Sequence, residues 1–337
     1  MKYAQIGPIS SYLPSTILTN DQLREQYPQW NIDLIEEKTG IYARHVAGKD
    51  EFVSDMAIAA AEKLFSEHNV DRNSIDYLLL CTQTPDYNLP TTACILQDKL
   101  RLSTDIGALD FNLGCSGYVI GLSLAQGLIA SGIAKRILLI TSECYTKYID
   151  DEDRSLRTIF GDGATATLIE AGDEPTLGPF LFKCVGSGAD LLVALNSGAR
   201  QGSQCLTPRG RKRWSSQLFM NGPELISFAA DYIPGLTKDI LEKANLTKDD
   251  IDYYLLHQAT LKMIDDVSFM MSWPKEKVPL YMKDIGNTVS STIPLLIENM
   301  RNNGTMTPGK QNLLIGFGVG LSAGICVWRE SFTGASK

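Results

Sequence analysis

The chain has 337 residues, 44% of them hydrophobic, with a mean hydropathy of −0.06 and a formal net charge of −8. This acidic balance, with a sequence pI of about 5.0, argues against a general nucleic-acid binder. No apolar run reaches the length that a bilayer span needs, and the N-terminus lacks the apolar core of a signal peptide. We therefore expect a cytoplasmic protein without membrane insertion, large enough for about two domains.

Seven cysteines are spread along the chain, and no two of them have C-x-x-C spacing. An odd number of dispersed cysteines favours neither a disulfide framework nor a zinc site. The sequence therefore predicts reduced thiols and no bound metal.

The first half of the chain predicts alternating strands and helices. After an N-terminal strand, one helix begins behind Asn20 and a helix with an apolar face begins near Ser54. Residues 75–80 form an almost continuous apolar run, which is typical of a strand buried on both faces. The other elements predicted for this half are a loop over 84–90, a helix over about 91–100 and strands over 136–141 and 164–169.

The stretch around Cys115 is the centre of the first half. Apolar residues lead into it, Gly114 and Gly117 bracket it, and residues 118–130 are typical of a buried helix. Cys115 is therefore expected where a strand ends and a helix begins, and the helix N-terminus should favour its thiolate, which can take an acyl group from a thioester. Most cysteines are small buried apolar side chains, however, so the assignment depends on partners elsewhere in the chain.

The second half repeats the order of the first. Residues 251–256 match residues 75–80 at an offset of 176, and residues 310–315 match residues 135–140 at an offset of 175. Two matches at almost the same offset predict a duplicated α/β unit with buried central strands. We expect the two halves to span 1–172 and 173–337.

The duplication also predicts a site between the halves. The same offset carries Cys115 to Ser290, in a loop over 285–292 that also contains Asn287. His257 ends the strand at 251–256, and ligands of α/β sheets tend to lie beyond the carboxyl ends of strands. Either residue alone could be structural, as a strand-end histidine or a helix cap. Together, Cys115, His257 and Asn287 are predicted to form one cluster.

These motifs, taken with their spacing, resemble the β-ketoacyl-ACP synthase III family from about Ile6 to Trp328. The resemblance is carried by Gly114-Cys115-Ser116-Gly117, Phe160-Gly161-Asp162-Gly163-Ala164, His257-Gln258-Ala259, Gly286-Asn287-Thr288 and Gly316-Phe317-Gly318. It implies a duplicated thiolase-like α/β fold, with two similar halves and buried mixed sheets in an α-β-α-β-α layering. It also implies a homodimer.

The resemblance further implies a two-step acyl condensation. Cys115 would take an acyl group from an acyl thioester such as acyl-CoA. His257 and Asn287 would then hold malonyl-ACP and stabilise its enolate as carbon dioxide leaves, because both can donate hydrogen bonds to the developing negative charge. The backbone N–H groups of Cys115 and Gly318 would form the oxyanion hole of the acyl-transfer step.

Two more positions take roles from the same resemblance. Phe317 matches a family phenylalanine beside the cysteine, and Leu89 falls where the family shapes its acyl pocket, often with a contribution from the partner subunit. No permanently bound cofactor is implied. Acyl-CoA and malonyl-ACP are substrates, and the acyl carrier protein is a partner.

The sequence departs from the family where the CoA moiety is usually held. Arg154 matches a family arginine that contacts the nucleotide, and Lys38 and Lys262 replace arginines. These three are the candidate CoA-binding residues. An ammonium group does not replace a planar guanidinium without loss, so recognition of the adenine end is predicted to be altered. The other departures are Leu34, Pro223 and Thr260, where the family commonly has tryptophan, asparagine and asparagine.

A basic segment over 200–213 is an additional feature. It contains Arg209, Arg211, Lys212 and Arg213. Such a cluster is commonly a solvated surface loop, which is the preferred interpretation, but it could also be a docking patch for an acidic carrier protein.

Three alternatives to the condensing enzyme remain open at this point. The altered CoA-binding positions suggest an acyltransferase of specialised or cell-surface metabolism, which would pass the acyl group to an acceptor other than malonyl-ACP. A cysteine hydrolase with a Cys-His-Asn set belongs to a different enzyme class, and the internal duplication argues against it. A non-enzymatic subunit is the weakest hypothesis because all three catalytic residue types are present.

Overall fold

The computed structural model describes residues 2–208 and 217–334. The elements of the first half are β1 (Tyr3–Tyr12), β2 (Thr16–Thr19), α1 (Asn20–Gln26), α2 (Ile32–Thr39), β3 (Ala43–Val46), α3 (Val53–Glu67), β4 (Tyr77–Cys81), α4 (Thr92–Lys99), β5 (Gly107–Phe111), α5 (Gly117–Ala130), β6 (Arg136–Glu143), α6 (Arg154–Arg157) and β7 (Gly163–Gly172). Those of the second half are β8 (Leu177–Cys184), β9 (Leu192–Ala194), β10 (Leu218–Met220), α7 (Gly222–Ala244), β11 (Tyr253–Leu256), α8 (Leu261–Met271), α9 (Thr292–Asn302), β12 (Gln311–Gly318) and β13 (Ser322–Arg329).

Two mixed sheets carry the fold. The first has the strand order β1-β7-β6-β4-β5, in which β4 runs parallel to both β5 and β6 while β7 is antiparallel to β6 and β1. The second has the order β11-β12-β13-β8, with β11 parallel to β12 and the other pairs antiparallel. The strands that the two sequence matches relate therefore form one parallel pair in each sheet, β4 with β6 and β11 with β12.

The two parallel pairs are also held by equivalent side chains. The Asp76 carboxylate accepts hydrogen bonds from the backbone N–H groups of Lys135 and Arg136, at 2.8 and 3.1 Å. The Asp252 carboxylate accepts one from the backbone N–H of Gln311 at 2.8 Å. An aspartate thus fixes the start of each pair in the same way. The division of the chain at residue 172 stays a prediction.

Helices form three layers around the sheets. In the middle, α5 packs against β1, β4 and β6 of the first sheet and β12 and β13 of the second, and α9 packs against β1 and β11. The outer layers are α3 and α4 on the first sheet and α7 on the second, with α8 against α7. Because α5 has a sheet on both sides, it contains no charged residue and is apolar on nearly all faces.

The predicted elements lie within a few residues of the observed ones, with one shift at the first helix. This helix begins at Asn20 itself, because the preceding Thr19 and the Gln22 side chain form a capping box. No helix in the described part of the chain is long and apolar enough to cross a membrane.

Candidate active site

Cys115 lies in the turn between β5 and α5, where the chain passes against the end of β12. A Cβ atom on Gly117 would lie 2.3 Å from the Cys81 sulfur, and one on Gly318 would lie 2.8 Å from the Cys115 sulfur. Both distances are too short for any side chain. The glycines therefore allow the nucleophile turn to approach its neighbours closely.

The thiol of Cys115 is nearly enclosed, with 7% of the residue exposed. Burial raises its pKa to about 12, and hydrogen bonding by the backbone N–H groups of Val319 and Cys115 offsets only part of that rise. The backbone donors at the helix N-terminus favour the thiolate, but the cost of burying the charge exceeds their stabilisation, so the thiol keeps a raised pKa. The thiol must lose its proton during acyl transfer.

His257 follows β11 directly and is 2% exposed. Its backbone N–H donates to the Ile315 carbonyl at 2.8 Å, and its Nδ1 lies 2.7 Å from the Thr292 hydroxyl oxygen. Burial lowers the pKa of His257 to about 3, with a small opposing effect of the Val289 carbonyl. The imidazole is neutral at physiological pH, and when Thr292 donates to Nδ1 the proton lies on Nε2, where it can be donated to a ligand.

Asn287 is fixed by its backbone and by its side-chain oxygen. Its N–H donates to the Ile159 carbonyl at 2.9 Å, and its carbonyl accepts from the Gly161 N–H at 3.0 Å. Its Oδ1 accepts from the Val289 N–H at 2.9 Å, which leaves the amide nitrogen as the donor for a ligand. Val289 itself has a φ of +57°, which is unusual for a β-branched residue. This strained residue contacts the surroundings of both catalytic candidates: its N–H bonds to Asn287, and its carbonyl oxygen lies 3.1 Å from the hydroxyl oxygen of Thr292, the residue beside His257 Nδ1.

One cavity of about 350 Å³ joins these side chains, and we call it the main cavity. Its walls include Cys115, His257 and Asn287, which the sequence predicted as one cluster, and also Phe317 and Gly318. The Phe317 ring meets the His257 ring edge-on, with centroids 6.2 Å apart. A neutral imidazole and an amide therefore face the same space as the thiol.

Some of the remaining candidates line the main cavity and others do not. Lys38 and Lys262 line the main cavity, together with Pro223 and Thr260, two of the positions that depart from the family. The ammonium group of Lys262 lies 2.9 and 3.0 Å from the two carboxylate oxygens of Asp266, which partly neutralises it. Three candidates lie outside the lining: Leu34, which is 41% exposed, Leu89, which is 83% exposed, and Arg154, which is also exposed.

Two contacts of the catalytic candidates were missed at the sequence level. Thr292 and Val289 lie in the loop that the duplication pointed to, but nothing in their spacing indicated that they hold His257 and Asn287. The strain at Val289 has no sequence signal, because valine is not a residue that favours positive φ.

Two further expectations concern metals and the basic loop. In residues 2–208 and 217–334, no group of three or more His, Cys, Asp or Glu side chains could hold a metal ion. Four basic residues of the 200–213 segment lie outside the described residues, namely Arg209, Arg211, Lys212 and Arg213, whereas Arg200 is described and exposed.

Comparisons with known proteins identify the family. Residues 109–186 match the model of 3-oxoacyl-[acyl-carrier-protein] synthase III, and residues 241–330 match the model of its C-terminal part. A beta-ketoacyl-[acyl-carrier-protein] synthase III from Halalkalibacterium halodurans is 35% identical over 95% of this chain and 94% of that protein.

Solved structures agree over nearly the whole chain. A 3-oxoacyl-(acyl-carrier-protein) synthase III determined at 2.1 Å has a TM-score of 0.92 at 43% identity, covering 97% of this chain and 99% of that one. A 3-oxoacyl-(acyl-carrier protein) synthase from Burkholderia xenovorans LB400 also has a TM-score of 0.92, at 33% identity, covering 98% and 95%. The predicted duplicated thiolase-like fold is confirmed, and the chain belongs to the β-ketoacyl-ACP synthase III family of condensing enzymes.

Proposed function

We propose that this chain catalyses acyl transfer from an acyl thioester to Cys115, followed by decarboxylative Claisen condensation with malonyl-ACP. The observation that carries the proposal is the meeting of Cys115, His257 and Asn287 in one largely apolar cavity. Acyl-CoA and malonyl-ACP are the substrates, and no cofactor takes part. We also propose a homodimer in the cytoplasm and a division of function at residue 172, with the nucleophile in the first half and the His/Asn pair in the second.

In the first step, the Cys115 sulfur attacks the carbonyl carbon of the acyl donor. The new C–S bond forms as the bond to the CoA sulfur breaks, and the thiol proton ends on the departing CoA. Because burial holds the pKa of Cys115 near 12, deprotonation accompanies attack rather than preceding it. The N–H groups of Cys115 and Gly318 would hold the oxyanion of the tetrahedral intermediate.

In the second step, the C–C bond between the malonyl methylene and its carboxylate breaks, and carbon dioxide leaves. The electron pair moves into the thioester to give an enolate, whose oxygen accepts hydrogen bonds from His257 Nε2–H and from the Asn287 amide. A histidine with a pKa of about 3 stays neutral, so it stabilises the enolate without protonating it. The methylene carbon then attacks the acyl-cysteine, and one proton from solution restores the thiol.

Substrate binding is assigned by position. Lys38 and Lys262 line the main cavity and would contact the phosphates or pantetheine of the CoA moiety. Arg154 lies outside the lining of this cavity. The Lys262–Asp266 pair weakens the positive charge there, in agreement with altered recognition of the nucleotide end. Leu89 is a large apolar side chain that is mostly exposed, and a second subunit would cover it.

The test is a two-stage reaction. The protein is first incubated with an acyl-CoA, separated from free CoA, and then mixed with malonyl-ACP. The proposal expects carbon dioxide and a 3-oxoacyl-ACP in equal amounts. Acyl transfer to another acceptor without carbon dioxide would instead indicate the acyltransferase alternative. Release of the free acid alone would indicate a hydrolase, and either result would overturn the proposal.

A further inference from the structure

A second cavity of about 230 Å³ lies next to the main cavity, and we call it the side cavity. Since one water occupies about 30 Å³ in the liquid, this space can hold a short chain of roughly six to eight non-hydrogen groups. Its lining is unusual for an alkyl pocket, because half of the ten lining residues are polar: Gln83, Asn112, Tyr145, Tyr148 and Ser197.

The side cavity adjoins the nucleophile. Leu192 lines both cavities. Val319 lines the side cavity, and its backbone N–H is hydrogen-bonded to the Cys115 thiol. On the other side of the turn, the Gln83 side-chain oxygen lies only 2.4 Å from where a Cβ of Gly114 would be. An acyl group on Cys115 therefore has the side cavity within reach.

A chain of hydrogen bonds crosses the wall of the side cavity. The Tyr145 hydroxyl donates to Gln83 Oε1, and Gln83 Nε2 donates to Asn112 Oδ1 at 2.9 Å. Within the described residues, the amide nitrogen of Asn112 has no partner in this chain of bonds. Tyr145 is 3% exposed, and its ring packs at 5.1 Å from that of Phe160, which lines the main cavity. The buried phenol is thus held between the two cavities.

The charge around the side cavity favours a neutral ligand. None of the described residues that line it is charged. Behind the wall, the backbone N–H of Gln83 donates to the buried Glu143 carboxyl at 3.0 Å, so this donor is not available to an anionic ligand. Burial and Glu143 also raise the pKa of Tyr145, which keeps its hydroxyl protonated.

We propose that the side cavity selects a short acyl group bearing a neutral hydrogen-bonding substituent, such as a hydroxyacyl group, over an alkyl group of the same shape. Tyr145 and Gln83 are the specificity-determining residues. This inference rests on the proposed function, since it concerns the group carried on Cys115. The two substituents differ in hydrogen bonding. An alkyl substituent cannot form hydrogen bonds with the amide and phenol groups of the cavity wall, whereas a hydroxyl can donate a hydrogen bond to them or accept one.

The experiment compares two donors that differ only by a hydroxyl in place of a methyl, 3-hydroxybutyryl-CoA and 3-methylbutyryl-CoA. The rate of Cys115 acylation is measured for each by intact-protein mass spectrometry. We expect the wild type to prefer the hydroxyacyl donor by about tenfold, and Tyr145→Phe and Gln83→Met each to lose most of that preference. Tyr254→Phe is the matched control, because its hydroxyl bonds to the Lys248 carbonyl away from both cavities.

The outcomes distinguish failure of this inference from failure of the proposed function. Equal or faster acylation by 3-methylbutyryl-CoA, or a preference that survives both variants, would overturn the inference and leave the proposed function standing. Faster acylation by a carboxylate-bearing donor such as succinyl-CoA would contradict the choice of a neutral group. No adduct with any donor would refute the proposed function and the inference with it. Because both donors are tested on one preparation, reduced stability of a variant cancels from the ratio.

Discussion

Glu143 provides a prediction that can be worked out in numbers. It ends β6, is fully buried, and accepts three hydrogen bonds: from Ser290 Oγ at 2.9 Å, the Gln83 N–H at 3.0 Å and Thr84 Oγ1 at 3.3 Å. These donors favour the carboxylate, but burial outweighs them and raises the pKa of Glu143 to about 8 from an ordinary value of 4.5. The folded protein therefore keeps this carboxyl protonated at neutral pH.

The sign of the resulting pH dependence is opposite to that of a salt-bridged carboxylate. Above pH 4.5 the unfolded chain releases the proton while the folded chain holds it until about pH 8, so the free energy of unfolding falls as the pH rises between these values. At about 1.4 kcal/mol per pH unit, the total loss is roughly 3–5 kcal/mol. Glu143→Gln keeps the shape and the acceptor oxygen but has no proton to lose.

The assay is urea unfolding of wild type and Glu143→Gln between pH 5 and 9. We expect the wild-type free energy of unfolding, minus that of the variant, to fall by about 1.4 kcal/mol per pH unit up to about pH 8 and then to level off. Subtraction removes the contributions of other titrating groups. A difference that is level or rises with pH would refute the reasoning, because it would mean that the three hydrogen bonds outweigh burial.

Two further predictions concern catalysis. His257→Ala and Asn287→Ala should each lower the rate of malonyl-ACP decarboxylation, measured as carbon dioxide release, by about 10²- to 10³-fold. The rate of Cys115 acylation, measured from the intact mass, should change by less than about tenfold. Equal losses in both half-reactions would contradict the division of roles. Gly318→Ala should slow acylation at least tenfold because its methyl group would lie 2.8 Å from the thiol sulfur. Gly235→Ala in α7, where a Cβ meets nothing within 4 Å, should keep full acylation and stabilise the fold by about 1 kcal/mol. Unimpaired acylation in the Gly318 variant would show that this contact does not limit access to sulfur.

The parts of the fold that could be predicted are those with a local pattern. Apolar runs in the sequence indicate the strands β4, β6, β11 and β12. The shared offset indicates that the pair β4 and β6 is equivalent to the pair β11 and β12. The same offset pointed from Cys115 to the loop that carries Asn287. This works because a duplicated fold repeats the same strand-end positions in each half, so a one-dimensional spacing carries three-dimensional information.

The parts that could not be predicted depend on long-range packing. The direction of the pKa shift of Cys115 follows from how completely the thiol is enclosed, and no local motif reports that enclosure. The contact between Thr292 and His257 joins residues 35 positions apart. The bond from Tyr145 to Gln83 spans 62 positions and involves two residues with no recognisable motif. Leu89 and Arg154, which were assigned by resemblance alone, lie outside the main cavity of a single chain.

The most direct test of the central claim is the mass of the intact protein after incubation with a panel of acyl-CoA and acyl-carrier-protein donors, for the wild type and for Cys115→Ala. The account predicts a gain of one acyl group in the wild type, with release of the thiol carrier, and no gain in the variant. An adduct of equal size in the variant, or none in the wild type with any donor, would contradict the assignment of Cys115 as the acyl-accepting nucleophile.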